Sequence, residues 1–158
     1  MSTIKIRNIC FALLMVVISS LVWVPAYAEE MSCPEHAPVV IDIRPGEDPN
    51  SVNLSSKGLL PVAVVTTSDF DASLFEPEMA HLSDANAPMS EGCSGATPVR
   101  WTLDDVNRDG NVDLVFFFRI QELDLSLNST AAILMAHGSY GGVMLHILGT
   151  DTVKVVPK

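Results

Sequence analysis

Nine consecutive residues, Asp105-Val106-Asn107-Arg108-Asp109-Gly110-Asn111-Val112-Asp113, place a carboxylate or amide oxygen at every second position. Hard cations of the calcium type take about six to eight oxygen ligands at about 2.3–2.6 Å, and a chain that alternates ligand and spacer can wrap one. Counted from Asp105, side-chain oxygens fall at positions 1, 3 and 5 (Asp105, Asn107, Asp109), with Gly110 at position 6, where the chain must turn sharply. Asn111 would offer its backbone carbonyl, and Asp113 an oxygen either directly or through water. A helix-flanked calcium loop would need a bidentate glutamate at position 12; Phe116 stands there and cannot serve. Further ligands would have to come from water or from Asp104, the nearest spare carboxylate. The competing reading is a solvated acidic turn, since Asp, Asn and Gly also favour turns. Without a cation the three carboxylates repel one another, so the expectation is a loop that loosens when Ca²⁺ is removed.

A second pattern could do softer chemistry. Met-x-His occurs at Met79-Ala80-His81, Met135-Ala136-His137 and Met144-Leu145-His146. Residues two apart share one face of a strand, so each would present a thioether beside an imidazole. Met135, His137, Met144 and His146 could meet across a hairpin and suit copper. Against this, methionines commonly fill core gaps. Catalytic signals are weak: Ser139 sits in Gly-Ser-Tyr-Gly-Gly, which lacks the Gly-x-Ser-x-Gly elbow. The pairs Asp104–Asp105 and Glu122–Asp124 are explained as well by ion binding or solvation. The chain is therefore read as a non-enzyme.

These residues must be positioned by a modest chain of 158 residues. Lys5 and Arg7, an apolar run from Ile9 to Val24 and Ala26-Tyr27-Ala28 read as a cleaved signal peptide over residues 1–28. The run is short for a membrane span. Loss of Lys5 and Arg7 leaves 7 basic against 19 acidic side chains, a net charge of −12. That balance opposes nucleic acid and anionic membranes and favours cations. Export would place Cys33 and Cys93 in an oxidising compartment, where a disulfide is expected. Closing a loop of that length would stabilise the fold by about 4 kcal/mol. Free thiols or a soft-metal site are the alternatives.

Residues 29–38 read as a polar N-terminal arm and 39–158 as one domain. Val39 to Arg44 alternates as a half-buried strand, and Pro45 to Asn50 interrupts it. Leu59 to Thr67 is apolar on both faces and reads as an interior strand. Asp69 to Pro77 suggests a turn or a single helical turn, and residues 83–98 a long loop. Arg100 to Leu103 leads into the oxygen-rich loop and Leu114 to Ile120 leaves it. Ala131 to His137 and Val143 to Leu148 flank the five residues Gly138 to Gly142 as a hairpin. Val153 to Val156 is the last of some seven short strands. Many short strands with no long helical period imply an all-β fold, a β-sandwich.

Taken together, the segments resemble a family of secreted bacterial domains whose members read Ile-Asp-Ile-x-Pro-Gly, Pro-Asn-x-(Ile/Val)-Asn, Ser-x-Gly-x-x-Pro-Val-Ala and Asp-Val-Asn-x-Asp-Gly-x-x-Asp-Leu-Val. The matching residues are Ile41 to Gly46, Pro49 to Asn53, Ser56 to Val64 and Asp105 to Val115. The resemblance implies an extracytoplasmic, immunoglobulin-like β-sandwich with a calcium loop inserted between two strands. It supplies no catalytic residue. The family's final hairpin is usually charged or threonine-rich. Ile133-Leu134-Met135 and Val143-Met144-Leu145 are more apolar and imply an exposed surface for an envelope or extracellular protein.

Overall fold

The computed structural model describes residues 36–87 and 95–157. The expected signal peptide over residues 1–28 and the expected Cys33–Cys93 disulfide lie outside these residues. Ten strands form the fold, and among the described residues there is no α-helix. They are β1 His36–Pro38, β2 Ile41–Ile43, β3 Ser51–Asn53, β4 Leu59–Val64, β5 Phe75–Asp84, β6 Pro98–Asp104, β7 Asp113–Arg119, β8 Ala131–Tyr140, β9 Val143–Thr152 and β10 Lys154–Val156.

One sheet runs β1-β9-β8-β5, a second β2-β4-β7-β6, and β10 pairs with β3 alone. The seven principal strands thus divide as β2-β4-β7-β6 and β5-β8-β9, the A-B-E-D and C-F-G partition of an immunoglobulin constant-type sandwich. The loop Asp105–Val112 joins the positions of strands D and E. The extra strand β1 runs parallel to β9.

Period-two alternation builds the core. Ile41 and Ile43, then Leu60, Val62 and Val64, then Leu114, Phe116 and Phe118 point inward from one sheet. Phe75, Ala80, Leu82, Leu134, Ala136 and Ile147 meet them from the other. Each fully buried large side chain contributes on the order of 1.5–3 kcal/mol. The continuous apolar run of β7 has its reason here: Val115, on the outer face, is buried as well.

Three elements differ from the sequence reading. The arm over residues 29–38 ends in a strand, because His36 to Pro38 pairs with His146 to Leu148. Within Asp69–Pro77 the expected single helical turn is a 3-10 turn over Ala72–Leu74, capped by Asp71 through Ser73 N at 3.0 Å. A ten-residue strand, β5, follows at once and takes in the start of the expected loop 83–98. Pro77 is tolerated because β5 is the edge of its sheet and bulges between Pro77 and Met79. The β8–β9 connection is two residues, not five: Tyr140 pairs with Val143, and Gly141 and Gly142 turn at φ 58° and 85°. Two positive φ values match the right-handed twist of a hairpin. Gly138 stays in the ladder, where a Cβ would stand 2.2 Å from the Glu76 carbonyl oxygen.

The expected apolar surface is divided. Ile133 and Leu134 are buried, whereas Val143 and Met144 are exposed. Near the far end of β5, the buried Ser129 hydroxyl donates to the Asp84 carboxylate and accepts from Ser126 N at 2.8 Å. The Ser129 hydroxyl, and next the Asn86 N–H, hold the Asp84 carboxyl below its ordinary value.

Two outcomes follow. Gly138→Ala should destabilise the domain by about 1–3 kcal/mol, the usual effect of overpacking; an unchanged urea midpoint would show that the β5 edge yields freely. A lowered Asp84 value means that its stabilisation is present above the ordinary 3.8 and is lost as pH falls through the folded value. Ser129→Ala should therefore lower stability more at pH 7 than near pH 3, and equal losses at both would contradict this.

Candidate metal centre

The loop Asp105–Val112 is folded by its own side-chain oxygens. The two Asp105 oxygens accept from Asp109 N at 3.2 Å and Gly110 N at 3.0 Å. Asn107 Oδ1 accepts from Asp109 N at 3.0 Å, and Asp109 Oδ1 from Asn111 N at 2.8 Å. Asn107 Nδ2 donates to Asp109 Oδ2 at 2.9 Å. Arg108 and Gly110 take φ values of 61° and 90°, which bend the chain back on itself. The N–H of Asn111, and after it the Asn107 amide, hold the Asp109 carboxyl below its ordinary value.

Asp105, Asn107 and Asp109 are thus brought together. Asn111 contributes its backbone N–H to Asp109, and its side chain is exposed. Asp113 has a different place. It is fully buried at the start of β7, where Oδ1 accepts from Thr66 N at 2.8 Å and Oδ2 from Val106 N at 3.1 Å. Its carboxylate closes the base of the loop and fastens it to the chain leaving β4. Thr66 completes this anchor: its hydroxyl donates to the Val112 carbonyl at 2.6 Å and accepts from Ala72 N at 2.9 Å. Sequence reading missed Thr66, because nothing local links it to a loop some forty residues away. Asp42 is held above its ordinary value by burial first, then by the neighbouring charges of Asp151 and Asp113.

Among the described residues, no group of three or more His, Cys, Asp or Glu side chains is gathered in a form that could hold a metal ion. The donors in the loop are nevertheless all hard oxygens on an exposed turn, a set whose chemistry suits calcium. Asp105, Asn107 and Asp109 are the residues that would hold it.

The Met-x-His segments come together on the other sheet. His137 pairs directly with His146, and Met79 directly with His137. His81 pairs with Met135, and Met144 with Ser139. The ring centroids of His137 and His146 are 5.4 Å apart. His36, which the sequence gave no reason to include, pairs with His146 from the parallel strand β1 at 5.8 Å between centroids.

A third feature is the open edge between β5 and β6. Val99, Trp101 and Leu103 are exposed on β6, and Arg100 lies over the Phe117 ring at 3.7 Å. A cleft of about 400 Å³ is lined here by Pro77, Pro98 and Trp101 among others.

No known protein family matches the chain, and the searches of curated proteins and of solved structures found no match either.

The anchor at the loop base yields a clear expectation. Asp113→Ala leaves Thr66 N and Val106 N without their charged acceptor and should cost about 3 kcal/mol, measured by urea unfolding. A loss below about 1 kcal/mol would mean that water replaces the carboxylate without penalty.

Proposed function

We propose that this chain is an extracytoplasmic, non-catalytic β-sandwich module stabilised by calcium, with a structural or adhesive role. The observation that carries the reading is the inward turn of Asp105, Asn107 and Asp109, each of which accepts an N–H from the loop's own backbone. Such a turn concentrates negative charge at one place on a chain that is already acidic. A divalent cation would relieve the repulsion and tighten the connection between β6 and β7. The rigid base at Asp113 supports this reading, because an ion bound above it would act on a loop that is already fastened at one end.

The interaction half of the proposal is supported by the β6 edge. Val99, Trp101 and Leu103 expose apolar surface on a strand with one unpaired side. Edges of this kind invite pairing with another chain. The resemblance to secreted bacterial domains and the export-like leader agree with a place outside the cytoplasm.

Calcium at a hundredfold excess over its Kd should stabilise the protein by about 2.7 kcal/mol. For a domain of this size that is about a 10 °C rise in Tm. Asp109→Ala should abolish most of the gain. A melting curve that is the same in chelator and in millimolar Ca²⁺ would overturn the proposal.

A further inference from the structure

All four histidines of the chain, His36, His81, His137 and His146, lie on the β1-β9-β8-β5 sheet. So do Met79, Met135 and Met144, which are every methionine among the described residues. Register places them on one face. Inward positions of β8 and β9 are held by Leu134, Ala136 and Ile147, so Met135, His137 and His146, which alternate with them, face outward. Directly paired residues share a face, which adds Met79, His81 and His36.

Core filling does not explain the thioethers. Met79 is 46% exposed and Met144 53%. None of the four strands carries a lysine or arginine, so no built-in cation competes for the face. Nδ1 of His81 is buried without a hydrogen-bond partner among the described residues, a further sign that this face is not a satisfied polar surface.

We infer that this face carries a copper site built from His137 and His146, with Met79 and His36 flanking them on the neighbouring strands. Met79, His137, His146 and His36 form one row across β5, β8, β9 and β1, each directly opposite the next. With metal–nitrogen bonds of about 2.0–2.1 Å, two imidazoles on one ion stand with ring centres about 5–6 Å apart. The observed separation of His137 and His146 is 5.4 Å.

The identity of the ion follows from the donor count. A structural zinc site takes four ligands, usually thiolate, imidazole or carboxylate. Among the described residues no three His, Cys, Asp or Glu side chains form such a group. Two imidazoles completed by a thioether make a neutral, soft set, which selects Cu(I). Met79 supplies the sulfur from one side of the pair, and His36 packs its ring edge against His146 on the other side as a neighbour and not as a third ligand. This site is remote in sequence from the calcium loop and does not rest on that reading.

The test is anaerobic titration of the full chain with Cu(I) against a bicinchoninate competitor. One Cu(I) per chain is expected, with His146→Ala weakening binding at least 100-fold and Met79→Leu about 10-fold. Asp109→Ala should leave copper binding unchanged, which separates this site from the calcium loop. Cu(I) is diamagnetic, so NMR of the unmutated protein gives a check free of folding effects. The His137 and His146 ring signals and the Met79 methyl should shift with one equivalent. Unmoved ring signals, retained binding in a folded His137→Asn/His146→Asn double variant, or a preference for Zn²⁺ over Cu(I) would each overturn the inference.

Discussion

A single buried carboxylate ties the core of the sandwich to the oxygen-rich loop. Asp113 is withdrawn from water at the first residue of β7, and each of its oxygens is held by a backbone N–H, one from Thr66 and one from Val106. A buried charge without partners would be strongly unfavourable, so the fold must keep both donors in place. In doing so it fixes where β4 ends, where β7 begins and where the oxygen-rich loop is rooted. The phenylalanines of β7 follow directly, and they fill the space between the sheets.

The opposite end of the sandwich, where β4 and β8 begin and β9 ends, is held by further polar ties. Asp151 Oδ2 accepts from Ile43 N at 2.9 Å and from Asn50 Nδ2 at 2.8 Å, and Asn50 also donates to the Thr152 carbonyl at 2.9 Å. The Arg44 guanidinium, on a residue at φ 61°, pairs with Glu47 at 2.6 Å and donates to the Ser51 carbonyl. The motif residues Ile41 to Gly46 and Pro49 to Asn53 are thus accounted for by structure. They connect β2 and β3 to the end of β9.

The two candidate metal regions differ in kind. The loop Asp105–Val112 is local: its donors are neighbours in sequence, and short-range hydrogen bonds shape it. The histidine face is assembled from four strands, and its donors meet only because the ladders bring them into register. Hard oxygens on an exposed turn and soft donors on a flat sheet have little chemistry in common. Each would respond to a different ion.

The alternation of Ile41 and Ile43, the two-faced apolar runs of β4 and β7 and the oxygen spacing from Asp105 to Asp113 were legible in the sequence. Each is a repeat over a few residues, set by strand period or turn chemistry. The strand β5 was not legible, because Glu76, Pro77 and Glu78 argue against a strand and only an edge position with a bulge accommodates them. Nor was the extension of β8 through Gly138 to Tyr140, which depends on the Glu76 backbone passing close by. The sequence determined which donors the chain possesses and how they alternate, because side-chain chemistry and strand period are local properties. Only the tertiary structure decided that His36, from a parallel strand more than a hundred residues away, stands beside His146, because register between distant strands is set by packing of the whole core.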